Sequence, residues 1–303
     1  MSLPELVVLG TIGFDSVQTP FGKRERVLGG SGSFAAIAAS HFVKTGLLST
    51  VGPDFHSSDE AVFTRRQIDT SGLARSQLKT FSWSAHYGFD VNVAITDSVD
   101  PSILGDFRPV VPDRWKKTPF VLLGNIAPAL QQTVLDQMLI RPKLSVCDTM
   151  NYYIGQGPEA VKAMVRRVDI GLMNDSEARQ LFQTTSLVKA AREIMKLDSQ
   201  YAIIKKGEHG AVLFCGKNHF AVPGYPLENI KDPTGCGDSF AGGFLGYLAK
   251  NNKISEKEIR RAMVWGSVMA SFNAEDFSFN RLLSVRRSEL KQRYGEFKKM
   301  VQF

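Results

Sequence analysis

The residues best placed for chemistry lie in one stretch of the sequence, residues 231–240. Gly235 and Gly237 flank Cys236, and the carboxylate of Asp238 follows directly. The small residues at 239–249 then predict a helix. A glycine-bordered loop that opens a helix offers unpaired N–H groups and the positive end of the helix dipole to an anion. An aspartate there would repel that anion unless it takes a proton from an attacking nucleophile. The stretch therefore predicts phosphoryl transfer, with Asp238 as the base.

Composition excludes several other classes of protein. The chain has 303 residues, of which 43% are hydrophobic and 22% charged, as expected for a soluble globular protein. Three scattered cysteines and five histidines give neither a disulfide framework nor a zinc motif. The sequence has no apolar run of membrane-spanning length and no recognisable leader, so we expect a cytoplasmic protein without a membrane partner.

The formal charge of +7 raises the question of a nucleic-acid partner. Much of that charge lies at 286–299, where apolar residues recur at helical spacing. A solvated helix face explains this pattern better than a nucleic-acid surface, and we expect no nucleic acid as partner.

Strand and helix patterns alternate along most of the chain. Buried-strand runs occur at 6–9, 47–51, 120–123, 144–147, 169–172 and 201–204. Helical patterns occupy 58–67, 127–139, 159–167, 175–182, 186–198, 238–250 and 255–273, and 212–222 reads as an antiparallel hairpin. The alternation predicts one α/β domain over 1–303, with a doubly wound, mostly parallel sheet sandwiched by helices. Two more polar stretches, about 12–28 and 79–97, predict a small β-lid outside that sheet.

Polar residues follow several of these strands, where ligands of doubly wound sheets bind. They are Asp15, Asn125, Asp148, Asn174, Glu177, Lys205 and Lys206. Each alone could cap a helix or start a turn, as Asn174 could do for the helix after it. Their common position at one edge favours a functional site.

Motif tests narrow the choice of nucleotide site. The sequence has neither a G-x-x-x-x-G-K-[ST] loop nor the protein-kinase signatures. Residues 30–35 match the loose dinucleotide pattern G-x-G-x-x-A, but they follow a polar segment and not a buried strand. A nicotinamide-dependent oxidoreductase therefore stays a weak alternative.

Four segments together resemble the ribokinase-like (PfkB) carbohydrate and nucleoside kinases. Residues 232–238, Asp-Pro-Thr-Gly-Cys-Gly-Asp, resemble that family's C-terminal signature. Gly29-Gly30 before a small-residue helix resembles its N-terminal signature. Residues 174–177 resemble its N-x-x-E motif, and 206–210 its nucleotide-binding turn. They occur in family order over nearly the whole chain.

The resemblance implies a role for each segment. Asp238 would deprotonate the acceptor hydroxyl, while the backbone amides of Gly235, Cys236 and Gly237 would hold charge on the γ-phosphoryl group. Glu177 would act on Mg²⁺ through water. The residues along ATP would be Asn174, Lys205, Lys206, Gly207 and Gly210, and those facing the acceptor Asp15, Gly29, Gly30, Phe34 and Asn125. Asp232 and Thr234 match positions that hold a monovalent cation in some members, so K⁺ is a further candidate. The lid is often used in dimerisation, so a homodimer is the candidate assembly.

Four residues depart from the family pattern. Phe34 stands where sugar kinases commonly carry asparagine, so it is either a core residue of its helix or an aromatic face on which a nucleoside base could stack. Lys205 and Lys206 replace more usual neutral residues, either as charges at the edge of a strand or as partners of a phosphate. Cys236 replaces a common alanine, and we expect it to function through its backbone only, although a helix N-terminus can lower the pKa of a thiol.

The leading hypothesis is an ATP-dependent kinase that acts on a hydroxyl of a small sugar, polyol or nucleoside. The alternative is a non-catalytic sugar- or nucleoside-binding regulatory protein on the same scaffold. Binding alone needs no base, so the presence of Asp238 favours the enzyme.

Overall fold

A nine-stranded sheet forms the centre of the protein in a computed structural model that describes residues 3–302. Its strands are β1 Leu6–Leu9, β4 Thr45–Val51, β5 Asp69–Arg75, β8 Phe120–Leu123, β9 Leu144–Cys147, β10 Ile170–Asn174, β11 Tyr201–Lys205, β12 Ala211–Cys215 and β13 Asn218–Val222. The order across the sheet is β13-β12-β11-β10-β9-β8-β1-β4-β5. All neighbours run parallel except β11–β12 and β12–β13. The predicted mostly parallel sheet and its antiparallel hairpin are therefore confirmed.

Helices cover both faces of this sheet. They are α1 Ser31–Ala39, α2 Ser57–Thr64, α3 Ser102–Asp106, α4 Pro128–Asp136, α5 Asn151–Gln156, α6 Pro158–Val165, α7 Asp175–Phe182, α8 Leu187–Met195, α9 Cys236–Asn251, α10 Glu256–Asn273, α11 Asn280–Ser284 and α12 Arg287–Met300. Alternate residues of β1 enter two separate hydrophobic clusters, Leu6 and Val8 one cluster, Val7 and Leu9 the other. A strand buried on both faces has no polar side, so its sequence is continuously apolar.

The sequence analysis did not predict one edge strand. Residues 69–75 form β5, which pairs in parallel with β4, whereas we expected only the end of a helix at 67. The strand begins Asp-Thr-Ser-Gly, a composition typical of turns. An edge strand that is only half-buried tolerates these polar residues, and Gly72 lets Leu48 and Trp115 pack close to its backbone.

A second, four-stranded sheet lies outside the main one. Its strands are β2 Gly13–Thr19, β3 Gly22–Gly29, β6 Phe81–Tyr87 and β7 Ala94–Asp100, in the order β3-β2-β6-β7. We call it the small sheet. The strands occupy the two stretches expected to form a lid, and β7 extends three residues beyond them. The hydroxyl group of Tyr87 lies 3.0 Å from that of Thr234, so the small sheet contacts the glycine-rich loop.

Close backbone packing sets the position of α9. Gly242 lies against α1, where a Cβ atom would be 2.1 Å from the carbonyl oxygen of Ala35. A Cβ atom on Gly246 would likewise lie 3.0 Å from the Cα atom of Ala39. The small residues at 239–249 are therefore needed for a close crossing of α1 and α9. In the part of the chain that the structure describes, no helix combines the length and apolarity that crossing a bilayer requires.

We predict that Gly242→Ala lowers the free energy of unfolding by about 1–3 kcal/mol, because the new methyl group forces the two helices apart. Gly295→Ala is the matched control, since that glycine also lies in a helix but has open space around its Cβ position. Alanine should stabilise the protein there by up to about 1 kcal/mol through helix propensity. Urea unfolding measures both changes, and equal stability of the two variants would contradict the close crossing.

Candidate active site

The glycine-rich loop opens α9 with a backbone conformation that glycine favours. Gly235 precedes the helix with φ +74°, in the left-handed region. The amides of Gly235 and Gly237 donate to no other residue among 3–302, as expected for the first turn of a helix. The amide of Cys236 instead donates to the carbonyl oxygen of Pro233 at 3.1 Å. The Cys236 amide is therefore engaged within the loop, whereas the two glycine amides keep the capacity to bind an anion that the sequence predicts for all three.

The side chain of Cys236 is turned into the protein, as expected for a residue whose function is limited to its backbone. Its thiol lies 3.5 Å from the Ala270 carbonyl oxygen, inside the protein. Burial raises the pKa of this thiol to about 12, and a hydrogen bond from Asn273 offsets only part of that effect. The helix terminus therefore does not produce a reactive thiolate here.

The buried side chain of Phe34 packs against the backbone of the glycine-rich loop. Its side chain is 1% exposed and packs edge-on against Phe279. A Cβ atom on Gly235 would lie 2.3 Å from the Phe34 ring, so the loop backbone rests directly on that ring. The ring has no free face, and the prediction that Phe34 stacks on an acceptor base is wrong. The core interpretation holds, because a large aromatic side chain fills the space beneath a glycine.

Asp238, in the first turn of α9, lies among other carboxyl groups. Burial and, to a smaller extent, the charge of Asp148 raise its pKa to about 7. The ammonium group of Lys205 acts in the opposite direction. A carboxyl group that titrates near neutral pH suits a general base.

Asp15 belongs to the same acidic cluster and is 4% exposed. Burial raises its pKa to about 7, and a hydrogen bond from the Gly30 amide only partly offsets this. The charges of Asp232 and Asp238 also contribute to this raised pKa. Gly29 has no room for a side chain, because a Cβ atom there would lie 1.8 Å from the Asp15 carboxylate. Gly30 has φ +89°, so both glycines of the pair are required by the backbone that holds Asp15.

Asn125 follows β8 and carries an unsatisfied group. Its amide nitrogen lies 3.4 Å from the sulfur atom of Met150, and its backbone carbonyl accepts from Ser31. The side-chain oxygen is buried and has no hydrogen-bond partner in the described structure. Buried acceptors normally have a donor, so this oxygen has the capacity to accept one from a ligand.

Lys205 and Asp148 form a buried ion pair at the carboxyl edge of the main sheet. Their side chains are 15% and 4% exposed. Asp148 follows β9, Lys205 ends β11, and the pair bridges across β10 between them. Sequence reasoning placed Asp148 at this edge but gave it no role. The order of the strands brings Asp148 close to Lys205, and the local sequence does not predict that order.

Asn174 and Glu177 cap α7 together. The Asn174 side chain accepts from the Glu177 amide at 2.8 Å and donates to the Glu177 carboxylate at 2.7 Å. The Asn174 backbone amide binds the other carboxylate oxygen at 2.7 Å. The capping interpretation of Asn174 is thus correct, and it fixes the orientation of Glu177. Burial and the charge of Asp148 raise the pKa of Glu177.

The donor set suits a hydrated Mg²⁺ ion. Among residues 3–302 no group of three His, Cys, Asp or Glu side chains could hold a metal ion by itself. Mg²⁺ usually keeps several waters and is held by one or two carboxylates together with phosphate. Glu177 fits that pattern as a single oriented carboxylate.

The predicted nucleotide turn lies beside these residues. Gly207 and Gly210 have φ +55° and +81°, and Lys206 donates from its amide to the Gly210 carbonyl oxygen at 2.7 Å. A second loop touches this turn, since the Asn92 side chain accepts from the Glu208 amide at 3.2 Å. The turn therefore ends β11 directly beside Lys205 and contacts the loop between β6 and β7.

Asp232 and Thr234 precede the glycine-rich loop, and hydrogen bonds to other residues of the chain fix their position. Asp232 accepts from the backbone amides of Thr234 and Ser278, at 2.9 and 3.3 Å. The Thr234 carbonyl oxygen accepts from the Asn273 side chain at 2.7 Å. Asn273 and Tyr87 both position the loop and were absent from the sequence predictions. Neither lies in a recognisable motif, so the sequence contained no signal for them.

Comparison with known proteins identifies the family. A model described as "pfkB family carbohydrate kinase" matches residues 6–280. This chain belongs to the pfkB family. The resemblance inferred from its four segments is thus confirmed. It is a phosphotransferase of the group that phosphorylates alcohol groups of sugars and nucleosides.

Individual relatives of this pfkB-family kinase carry several names. It is 27% identical over 259 residues to the cytidine kinase of Thermococcus kodakarensis, covering 83% of this chain and 91% of that protein. Ribokinase from Giardia lamblia superposes with a TM-score of 0.82 at 18% identity, covering 98% and 100% of the two chains. Fructokinase from Vibrio cholerae, solved with fructose, ADP and calcium ion, gives a TM-score of 0.77 at 18% identity, covering 95% and 98%. The two structures establish a shared fold.

Proposed function

We propose that this pfkB-family kinase transfers the γ-phosphoryl group of ATP to a hydroxyl group of a small, uncharged sugar, polyol or nucleoside. The observation that carries the proposal is the position of Asp238. It follows two glycines with free amides at the start of a 16-residue helix, and its carboxyl group has a pKa raised to about 7. A base and an anion site adjoin within four consecutive residues, 235–238.

The residues divide the reaction between them. Asp15 and the unsatisfied oxygen of Asn125 accept hydrogen bonds from the acceptor and orient it. Asp238 takes the proton of the attacking hydroxyl group. The hydroxyl oxygen forms a bond to the γ-phosphorus, while the bond between the γ-phosphorus and the bridging oxygen of the β-phosphate breaks. The amides of Gly235 and Gly237 stabilise the charge that develops on the transferring group. Phosphoryl transfer depends mainly on such positioning and electrostatics.

The donor nucleotide and ions would lie on the sheet side of this loop. Asn174, Lys205 and the 206–210 turn would line ATP, and Glu177 would hold Mg²⁺ through water, so that the ion offsets phosphate charge. Asp232 and Thr234 remain the proposed place for K⁺. The potassium and ADP found in solved fructokinase structures support the choice of ligands.

Electrostatics favour an uncharged acceptor. The charged groups that act on the Asp15 carboxyl are Asp232 and Asp238, and both are acidic. A phosphate or carboxylate on the acceptor would be repelled there, whereas hydroxyl groups can donate to these carboxylates. The similar proteins include a cytidine kinase and a fructokinase, which supports nucleosides and sugars as the compounds to test.

We also infer a cytoplasmic homodimer. The three cysteines are free, as is usual for a reducing compartment. The edge strand β7 is exposed along its whole length, and Ile95 and Val99 are about half exposed. An exposed edge strand with apolar side chains is a natural site for pairing with a second copy.

We predict that Asp238→Asn lowers kcat by about 10²–10⁴-fold while ADP still binds, because the hydroxyl loses its base. In the wild type, kcat/KM should fall with acidity below about pH 7, where Asp238 becomes protonated. Near-normal turnover of the variant would remove Asp238 from the role of base.

Stability provides an independent control on the same variant. The pKa of Asp238 is higher in the folded protein than in the unfolded chain. This difference stabilises the folded protein fully below the unfolded pKa, and the stabilisation is lost as the pH rises towards about 7. Asp238→Asn should therefore melt above the wild type at pH 8, by a margin that shrinks at pH 5.5. A lower melting temperature at pH 8 would point to a folding defect.

A coupled ADP-release screen tests the class of acceptor. We expect turnover with at least one compound among ribose, fructose, inositol, cytidine, adenosine and other nucleosides. Sugar phosphates and sugar acids should give none, because of the acidic surroundings of Asp15. Faster turnover of a phosphorylated sugar than of its uncharged parent would contradict the proposed acceptor class.

Light scattering tests the assembly. We expect the mass of two chains for the wild type and of one chain for Val99→Asp, because a buried charge on β7 opposes pairing. A wild-type chain that is monomeric at micromolar concentration would overturn the homodimer.

A further inference from the structure

Lys205 lies where a cation could reach the transferring phosphoryl group. Its ammonium nitrogen lies 3.0 Å from the position that a Cβ atom on Gly237 would take, and the next two nearest side-chain atoms also belong to Lys205. The free amide of Gly237 is bonded to the same Cα atom that would carry this Cβ. A phosphoryl oxygen bound by that amide would thus lie beside the ammonium group.

The ammonium group has donors to spare. Lysine carries three N–H donors, and Asp148 is its hydrogen-bond partner among residues 3–302. The other oxygen of Asp148 accepts from the Thr149 amide at 2.9 Å. Asp148 is therefore a fixed support that orients Lys205, and the remaining N–H groups are available to a ligand.

Neighbouring carboxylates keep the ammonium group charged. Burial alone would lower the pKa of Lys205, but attraction from Asp148, Glu177 and Asp238 outweighs it and raises the pKa. A charged lysine held 15% exposed is protected from bulk water, where its interaction with phosphate would be weaker.

We propose that Lys205 is a catalytic residue that stabilises negative charge on the phosphoryl group during transfer, and that Asp148 is its positioning residue. The inference rests on the proposed kinase reaction and extends the expected contact with ATP to the reacting group itself. Lys205 donates hydrogen bonds to a phosphoryl oxygen without giving up a proton. The oxygen–phosphorus bonds form and break as described, and the proton of the hydroxyl still passes to Asp238.

A structural explanation competes with this one. Lys205 could serve only as the counterion of Asp148, whose buried charge would otherwise be unpaired. The two explanations differ for the double variant. If Lys205 is only a counterion, neutralising both partners removes the unpaired charge and should restore activity. If Lys205 acts on the phosphoryl group, the double variant stays impaired.

The experiment compares Lys205→Met, Asp148→Asn and the double variant with the wild type. Asp169→Asn is the matched control, because Asp169 is also a buried, ion-paired carboxylate. It pairs with Arg141 and accepts from Ser145 at the opposite end of the strands. The measurements are kcat on the best acceptor, calorimetric affinity for ADP, affinity for ADP with aluminium fluoride as a mimic of the transferring group, and melting temperature.

We expect Lys205→Met to lower kcat by about 10²–10³-fold, a typical loss for one donor that stabilises the transition state. The affinity for ADP with aluminium fluoride should fall with it, while the affinity for ADP alone changes less than about threefold. Asp148→Asn should lower kcat less, and the double variant should resemble Lys205→Met. Asp169→Asn should lower the melting temperature and leave kcat unchanged.

Three results would overturn the inference: recovery of kcat in the double variant, equal losses of affinity for ADP with and without fluoride, or unaltered fluoride affinity in Lys205→Met. A wild-type protein that phosphorylates no acceptor would instead contradict the proposed function. The fluoride measurement still reports on Lys205 in that case, so the two failures can be told apart.

Discussion

The close crossing of α1 and α9 is the contact on which the site depends. Gly242 allows the α9 backbone to meet the carbonyl oxygen of Ala35, and Gly235 rests on the ring of Phe34. Both contacts fix the start of α9, and with it the free amides of Gly235 and Gly237. Protein interiors are close-packed, so a side chain at either contact would displace the helix from the sheet edge. The loop is thus rigid because its support contains almost no space.

That rigidity allows carboxyl groups to be held close together. Asp15, Asp148, Glu177, Asp232 and Asp238 meet near the loop, and burial raises the pKa of four of them. A cluster of this kind destabilises the folded chain above neutral pH, since like charges approach without water between them. Functional sites commonly retain such strain. Here it yields a carboxyl group, the proposed base Asp238, that titrates near neutral pH and an ammonium group that stays charged.

The small sheet connects the acceptor side to the nucleotide side. Asp15 lies on β2, Tyr87 of β6 reaches Thr234, and Asn92 of the following loop binds the nucleotide turn at Glu208. The same sheet therefore touches the proposed acceptor site, the glycine-rich loop and the proposed ATP turn. Since residues that contact several parts of a site affect all of them, a movement of the small sheet would alter acceptor and nucleotide binding together.

The local sequence was sufficient for the parts of the protein that rest on short-range chemistry. Continuous apolar runs predicted the buried strands, small residues predicted the α9 packing face, and the glycine-rich signature predicted the family. The half-polar strand β5 was missed, because its position at the edge of the sheet, and not its composition, makes it a strand.

Tertiary structure decided which groups meet. It turned Phe34 inward beneath Gly235, engaged the Cys236 amide with Pro233, and brought Asp148 of β9 to Lys205 of β11 across an intervening strand. These outcomes depend on strand order and helix crossing, which join residues far apart in the chain. Residue types along the sequence therefore determined the chemistry available, and the packing determined which partner each group found.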